Sequence, residues 1–426
     1  MEVMSIDKLT YDKFLAVLHE ELIPAMGCTE PIAVAYASAE ARKVLGKKPD
    51  RVKAEISNSI IKNVKSVIVP NTGGMKGISA SVAAGMAAGD PDARLEVLAS
   101  IKPEQRYQIE EFLNNVPIDV EHLERGHVFD IIITAYAGND YAEVQIVDFH
   151  TNIVQIKKNG DVIFSNPSRM QHDAADRSFI NFKAIFDFAS EVSIIDLKDT
   201  IGKQITNNIA ISHEGLLHDY GVCAGKLLME SGKTDITNAL AASSAAGSDA
   251  RMSGCEMPVI INSGSGNQGI ACSTPVITYA TIANASEEEM YRALVVSNLV
   301  TIYQKDGIGT LSAYCGVISA GIGSAAGIAY LRHHSLEAIE ATVSNALGIS
   351  SGVVCDGAKP SCALKSALAV KTGIIGLKMY ENGRNLKEGD GLIGKNGDAT
   401  VKNIWRLAKQ GMTETNDEII NIMLGK

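Results

Sequence analysis

The spacing of apolar positions changes character along the chain. Residues 7–50 carry helical periodicity, broken at the turn-like Pro24-Ala-Met-Gly-Cys-Thr-Glu-Pro31, so two helices with a sharp turn between them are expected. An apolar run follows, with Val64, Val67, Ile68 and Val69 leading to Pro70, and it has the texture of a strand. The glycine-rich Asn71-Thr72-Gly73-Gly74 then opens a small-residue helix through Ala88, and GDPDA at 89–93 reads as a turn and a boundary. From Arg94 to about Phe164 the period shortens towards two. RLEVLASI (94–101) reads as a strand and PEQRYQIEEFLNNV (103–116) as a helix. FDIIITAYAG, YAEVQIVDF and NIVQIKKNGDVIF (129–164) alternate as strands, with Asn159-Gly160 as a hairpin turn. From about residue 182 onward nearly everything is helical, interrupted by glycine-rich loops at 262–269, 306–309 and 352–362. The expected fold is a mainly α-helical domain of small-residue helices (1–93 and 182–426), with a small α+β domain inserted at 94–181.

Composition sharpens this picture. Aromatic residues are scarce at 5% while glycine reaches 38 residues, so helices can approach closely in the core. A small-residue helical core of this kind also makes a homodimer a fair expectation. The formal net charge of -10, with no basic stripe, argues against nucleic acid as a partner. The most membrane-like stretch, Cys315–Leu331, is short and built of Gly, Ala and Ser, which fits a buried helix better than a membrane span. The first 22 residues are acidic and amphipathic, with no apolar signal core. Seven cysteines, an odd number, then point to a reducing cytoplasm, where thiols serve as packing groups, metal ligands or nucleophiles.

Gly264-Ser-Gly-Asn-Gln-Gly269 satisfies the dinucleotide-binding pattern G-x-G-x-x-G after the apolar Met257–Ile261, and Glu287 to Glu289 stand where a ribose carboxylate would. The context argues against NAD. Pro275 falls where the following helix should be running, and Ser286-Glu-Glu-Glu reads as the capped start of a new helix. Asn262 to Gln268 instead suggest a carboxylate site, with a tight structural turn as the plainer reading. The loop Asn71-Thr72-Gly73-Gly74 echoes this segment, and both could present backbone N–H groups to an anion.

The cysteines carry more. Cys355 and Cys362 are seven apart, but Gly357 and Pro360 between them oppose a continuous helix, so the segment is a loop presenting two thiols and Lys359. Cys315 lies between a polar loop and a Gly/Ala helix. A cluster held by these three thiols would leave one iron open to act as a Lewis acid. Buried packing thiols and a zinc site are the alternatives, though structural zinc wants a fourth ligand. Cys28 sits in a turn at a helix start, where it could be an incidental loop cysteine or an activated thiol. Cys223, Cys255 and Cys272 read as packing residues, with Cys272 close enough to the 262–269 loop to border a site. The nine histidines form no metal pattern, and no G-x-S-x-G, Walker or H-E-x-x-H motif is present.

Taken together, Pro24-Ala-Met-Gly-Cys28-Thr-Glu-Pro31, Thr310-Leu-Ser-Ala-Tyr-Cys315-Gly and Cys355-Asp-Gly-Ala-Lys-Pro-Ser-Cys362-Ala resemble the L-cysteine desulfidase family, a relative of the α chain of iron–sulfur L-serine dehydratases. The last cysteine pair is closer than in serine dehydratases, which favours the desulfidase branch. The resemblance implies a [4Fe–4S] cluster on Cys315, Cys355 and Cys362, with Cys28 as the base. It implies β-elimination of a small amino acid, L-cysteine, to sulfide, ammonia and pyruvate without pyridoxal phosphate. By residue type and position, Asn71 and Thr72, with Asn262, Ser263, Asn267 and Gln268, would hold the substrate carboxylate, and Lys359 would stabilise negative charge beside the cluster. An L-serine dehydratase on the same fold and a non-catalytic cluster-binding sensor are the competing readings.

Overall fold

The computed structural model describes residues 6–123, 127–166, 175–232, 235–309 and 312–425, so 310–311 in the loop before Cys315 lie outside the described residues. Helix α1 (Lys8–Glu21) is capped by the Asp7 side chain on the Thr10 N–H. The turn that follows contains a short strand, β1 (Pro24–Met26), and leads into α2 (Thr29–Leu45). Next come β2 (Arg51–Ser57), α3 (Asn58–Val64), α4 (Gly77–Ala88) and α5 (Arg106–Asn115). Strands β3 (Ile118–Leu123), β4 (Asp130–Ala137), β5 (Asp140–Val147), β6 (Ile153–Lys158) and β7 (Asp161–Ser165) complete a six-stranded sheet of order β3-β2-β4-β5-β6-β7. Only β2 and β3 are parallel. The β6–β7 hairpin turns on Asn159 and Gly160, both left-handed, as the Asn-Gly pair foretold.

Five of the six strands come from the segment expected to form an insertion, and the sixth does not. β2 lies between helices at 51–57, and its buried Val52, Ala54 and Ile56 join the sheet to α2 and α4 in one apolar core. The α+β unit therefore reaches back towards the N-terminus past residue 94. Two strand expectations are also corrected. Val64 ends α3, and among the described residues the run to Val69 forms no strand but an isolated bridge, Ile68 to Lys76, with Val67 and Val69 buried beside it. Residues 94–101 begin inside a short 3-10 helix, Pro91–Glu96, capped by Asp90 on the Asp92 N–H and kinked at Arg94. Leu95, Val97, Leu98 and Ile101 are buried in the same core without ladder partners, which is why their apolar density imitated a strand.

The second core is helical but for one short strand. It is built by α6 (Phe182–Glu191), α7 (Lys203–Leu217), α8 (Ala224–Glu230) and α9 (Ile236–Met252), then the short β8 (Pro258–Ile260) paired antiparallel with β1. There follow α10 (Gly266–Ile282), α11 (Glu287–Asp306), α12 (Gly316–Leu331), α13 (Leu336–Ser350), α14 (Ser361–Glu381), α15 (Gly397–Arg406) and α16 (Thr413–Leu424). Ser286 and Glu289 form the capping box expected at the start of α11. Pro275, by contrast, does not stop α10, which runs through it. The Ser273 and Thr274 Oγ atoms donate to the Gly269 and Ile270 carbonyls in the turn before the proline.

The membrane-like stretch is α12, buried among α10, α11, α13 and α14. No described helix is long and apolar enough to cross a membrane. Small residues set how closely the helices approach: a Cβ on Gly321 would stand 2.4 Å from Ala369 Cβ of α14, and one on Gly373 would stand 2.8 Å from Ala325 Cβ of α12. Gly321→Ala is expected to lower unfolding free energy by about 1–3 kcal/mol in a denaturant titration, since the packed α12–α14 crossing cannot admit a methyl without shifting. Gly352→Ala, where a Cβ meets nothing within 4 Å, should change it by less than about 0.5 kcal/mol.

Candidate active site

Four helices begin at one place. Cys28 immediately precedes α2, Cys315 precedes α12, Ser265 precedes α10, and Cys362 lies in the first turn of α14. Each start leaves backbone N–H groups without an intrahelical acceptor and a partial positive charge. Between them is a cavity of about 80 Å³, and all four of these residues line it.

Three thiols share one side of this cavity. The Cys315 N–H donates to the Val353 carbonyl at 3.1 Å and the Cys355 N–H to the Ala313 carbonyl at 2.6 Å, around a bridge between Tyr314 and Val354. The chain then turns at Gly357, with φ +93° and no room for a side chain: a Cβ there would stand 2.3 Å from the Lys62 carbonyl oxygen. The turn delivers Cys362 to the start of α14. Burial, and after it the neighbouring Cys355 and Cys362 thiolates, pushes the Cys315 thiol upward, and burial does the same to Cys362.

Cations stand close by. Lys62 Nζ donates to the Cys355 carbonyl at 3.2 Å, and Lys365 Nζ donates to the Val354 carbonyl at 3.0 Å and pairs with Asp356. Lys305 is buried on the cavity wall, where desolvation lowers its pKa to about 8. Among the described residues no three carboxylate, imidazole or thiol groups are gathered tightly enough to grip a single metal ion. Thiolates that each ligate a different iron of a cluster need no such closeness, so the trio and its cations fit a cluster better than one ion.

Cys28 packs with Cys362, Val67 and Met252 in a small apolar cluster. The preceding Gly27 has φ +69°, and a Cβ on it would collide with Pro70 Cγ at 2.1 Å, so the turn that presents Cys28 requires glycine. Cys28 Sγ donates to Glu30 Oε2 at 3.1 Å, and Glu30 also accepts from Thr29 Oγ1 at 3.1 Å and Asn63 Nδ2 at 2.9 Å. Burial pushes the Glu30 carboxyl up, but His150, the Cys28 thiol, its own backbone N–H and Arg251 together hold it below the usual carboxylate range. Burial, and then that carboxylate, pushes the Cys28 thiol well above an ordinary cysteine. The resting pair is therefore a thiol donating to a carboxylate. His150 reaches the cavity from the loop between β5 and β6, and burial holds its imidazole below the ordinary histidine range.

The other side-chain expectations divide. Ser263, Asn267 and Gln268 line the cavity. Asn262 lies behind them, fully buried, and donates to Asn298 Oδ1 at 2.9 Å. Asn298 in turn exchanges two hydrogen bonds with Gln204, at 2.9 and 2.7 Å, and accepts from Cys272 Sγ at 3.3 Å, so Cys272 supports the turn from below. The echo between the two Asn-x-Gly loops holds in backbone only at the glycines Gly73 and Gly264, both left-handed; beside them the left-handed residue is Asn71 in the first loop and Ser263, the counterpart of Thr72, in the second. Only the second loop faces the cavity. Asn71 donates to the Leu98 carbonyl and Thr72 to the Val69 carbonyl, and neither lines the cavity wall. Lys359 stands 3.6 Å from Asp356 and is likewise outside the lining, where Lys62 and Lys305 are found instead. Sequence reasoning missed Glu30, His150, Arg251 and both of these lysines. Glu30 alone had a signal, being two residues after Cys28 in the same turn.

The chain belongs to the serine dehydratase alpha chain family, whose model matches residues 92–421. Along nearly its whole length it is similar to proteins named UPF0597. The one from Desulfitobacterium hafniense (strain Y51) is 50% identical over 418 residues, covering 98% of this chain and 97% of the relative. Those from Finegoldia magna and Treponema denticola are 44% identical (97% of this chain, 99% of the relative) and 42% identical (99% and 100%).

Asn298→Ala would leave Gln204, Asn262 and Cys272 facing a void with unmet hydrogen bonds. It is expected to cost about 2–4 kcal/mol of unfolding free energy, measured by denaturant titration.

Proposed function

We propose that this protein is an iron–sulfur β-elimination lyase converting L-cysteine and water to hydrogen sulfide, ammonia and pyruvate. The observation that carries the reading is the meeting of Cys28 with Cys315, Cys355 and Cys362 on one cavity at helix starts. Membership of the serine dehydratase alpha chain family supports lyase chemistry and an iron–sulfur group. Cys315, Cys355 and Cys362 would hold a [4Fe–4S] cluster, with Lys62, Lys305 and Lys365 and the starts of α12 and α14 offsetting its negative charge. When bound there, the cluster supplies an iron without a protein thiolate that acts as Lewis acid towards the leaving group.

The remaining steps belong to the chain. Glu30 Oε2, 3.1 Å away, is the acceptor for the Cys28 proton; because the buried thiol at rest holds that proton more tightly than the carboxylate, substrate binding must reverse the order before the thiolate takes the substrate α-proton. Sulfide departs from the β-carbon as the Cα–Cβ double bond forms, and the aminoacrylate hydrolyses to pyruvate and ammonia. Asn63 and Thr29 keep the Glu30 carboxylate in place while it receives the proton. The cysteines are unpaired, which fits a reducing compartment, and we place the reaction in the cytoplasm.

L-Serine is the second substrate to consider, because the matching family is named for it. Anaerobically reconstituted protein should contain iron and labile sulfide, and should release pyruvate from L-cysteine with kcat/KM at least about tenfold above that for L-serine. The reverse preference would make it a serine dehydratase, and iron-free protein with full turnover would end the cluster assignment. Cys28→Ala should retain its iron and lose about 100-fold or more in kcat. Cys355→Ala should lose iron and turnover together, read by iron analysis and sulfide release.

A further inference from the structure

Arg251 lies in the last turn of α9 and is 3% exposed, on the wall of the same cavity as Cys28. Its Nη1 donates to Asn267 Oδ1 at 3.1 Å. Its Nε and Nη2 are buried and have no acceptor among the described residues. A guanidinium stays charged, and an ion this deep with donors unmet is costly unless an anion completes it. Glu30, the buried carboxylate whose charge Arg251 feels, is already engaged by Cys28, Thr29 and Asn63.

The guanidinium packs against the start of α10. A Cβ on Gly266 would stand 2.2 Å from Nε and 2.5 Å from Cζ, so only glycine at the first helical position admits it. Two independent donor sets therefore meet: the opening N–H groups of α10, which have no intrahelical acceptor, and the idle Nε–Nη2 edge. That edge is the side of an arginine that holds a carboxylate by two parallel hydrogen bonds.

We propose that Arg251 is the carboxylate anchor of the substrate site, taking the α-carboxylate of the amino acid through Nε and Nη2 at the start of α10. Asn267 holds the guanidinium by Nη1 and leaves the other edge free. The assignment rests on the lyase reading for the identity of the substrate, but the subsite is defined by the unmatched donors.

The test uses anaerobically purified holoenzyme, titrated calorimetrically with pyruvate and with L-alanine, both thiol-free carboxylates. Wild-type should bind them. Arg251→Met should weaken binding about 100-fold or more, and Arg251→Lys at least about tenfold because a point charge cannot replace the fork, with iron content unchanged in both. In turnover most of the loss should appear as a raised KM for L-cysteine. L-Cysteinamide, which lacks the carboxylate, should be bound at least about 100-fold more weakly than L-cysteine by wild-type and nearly equally by wild-type and Arg251→Met. A folded Arg251→Met with wild-type KM for L-cysteine overturns the anchor while leaving the lyase intact. Equal wild-type affinity for L-cysteine and its amide overturns it without any variant. Arg251-dependent binding of pyruvate with no sulfide released from L-cysteine would support the subsite and overturn the lyase reading instead.

Discussion

Gathering four helix starts around one small cavity is the constraint on which the structure depends. The exposed N–H ends of α2, α10, α12 and α14 all favour negative charge, and the cavity collects thiols, a carboxylate and buried cations around them. The helices come from parts of the chain separated by the sheet unit and by most of the helical core. Only tight packing brings their ends together. The near-contact of glycines with neighbouring helices at α12 and α14 therefore decides where Cys315 and Cys362 point as well as how dense the core is.

Behind the cavity a second constraint operates. Gln204, Asn298, Asn262 and Cys272 form a hydrogen-bonded group with no exposed member, and it fixes the left-handed Ser263 turn that fronts the substrate space. Buried polar groups of this kind specify one arrangement because any other leaves donors unmet. The sheet unit contributes differently, sending the β5–β6 loop across to supply His150, so the two cores are joined chemically as well as by packing.

Much of this was legible in the residues. Gly357 and Pro360 marked a loop between two cysteines, Asn159-Gly160 marked a hairpin, and Ser286 with Glu289 marked a capped helix start. Each is a local signal with a local cause. β2 was missed because its alternation is short, interleaved with charged residues and set between helices, and its partners lie more than sixty residues onward. Pro275 misled in the other direction, since α10, buried along most of its length, runs through a residue that propensity alone would exclude. Arg251, His150 and Lys305 had no local signal. Each comes from a different segment, and only the closed fold makes them neighbours.

The position of Arg251 bears on the end of the catalytic cycle as well as its beginning. In the proposed reaction pyruvate keeps the carboxylate that the amino acid brought in, so a group gripping that carboxylate holds reactant and product alike and does nothing to tell them apart. What distinguishes them is the α-carbon, tetrahedral and bearing an ammonium before reaction, flat and carbonyl-like after it. Under the proposed assignment, release would be driven from that end of the molecule, where Cys28 and Glu30 stand, and the same fork that captures substrate would make accumulated product a competitor for the cavity.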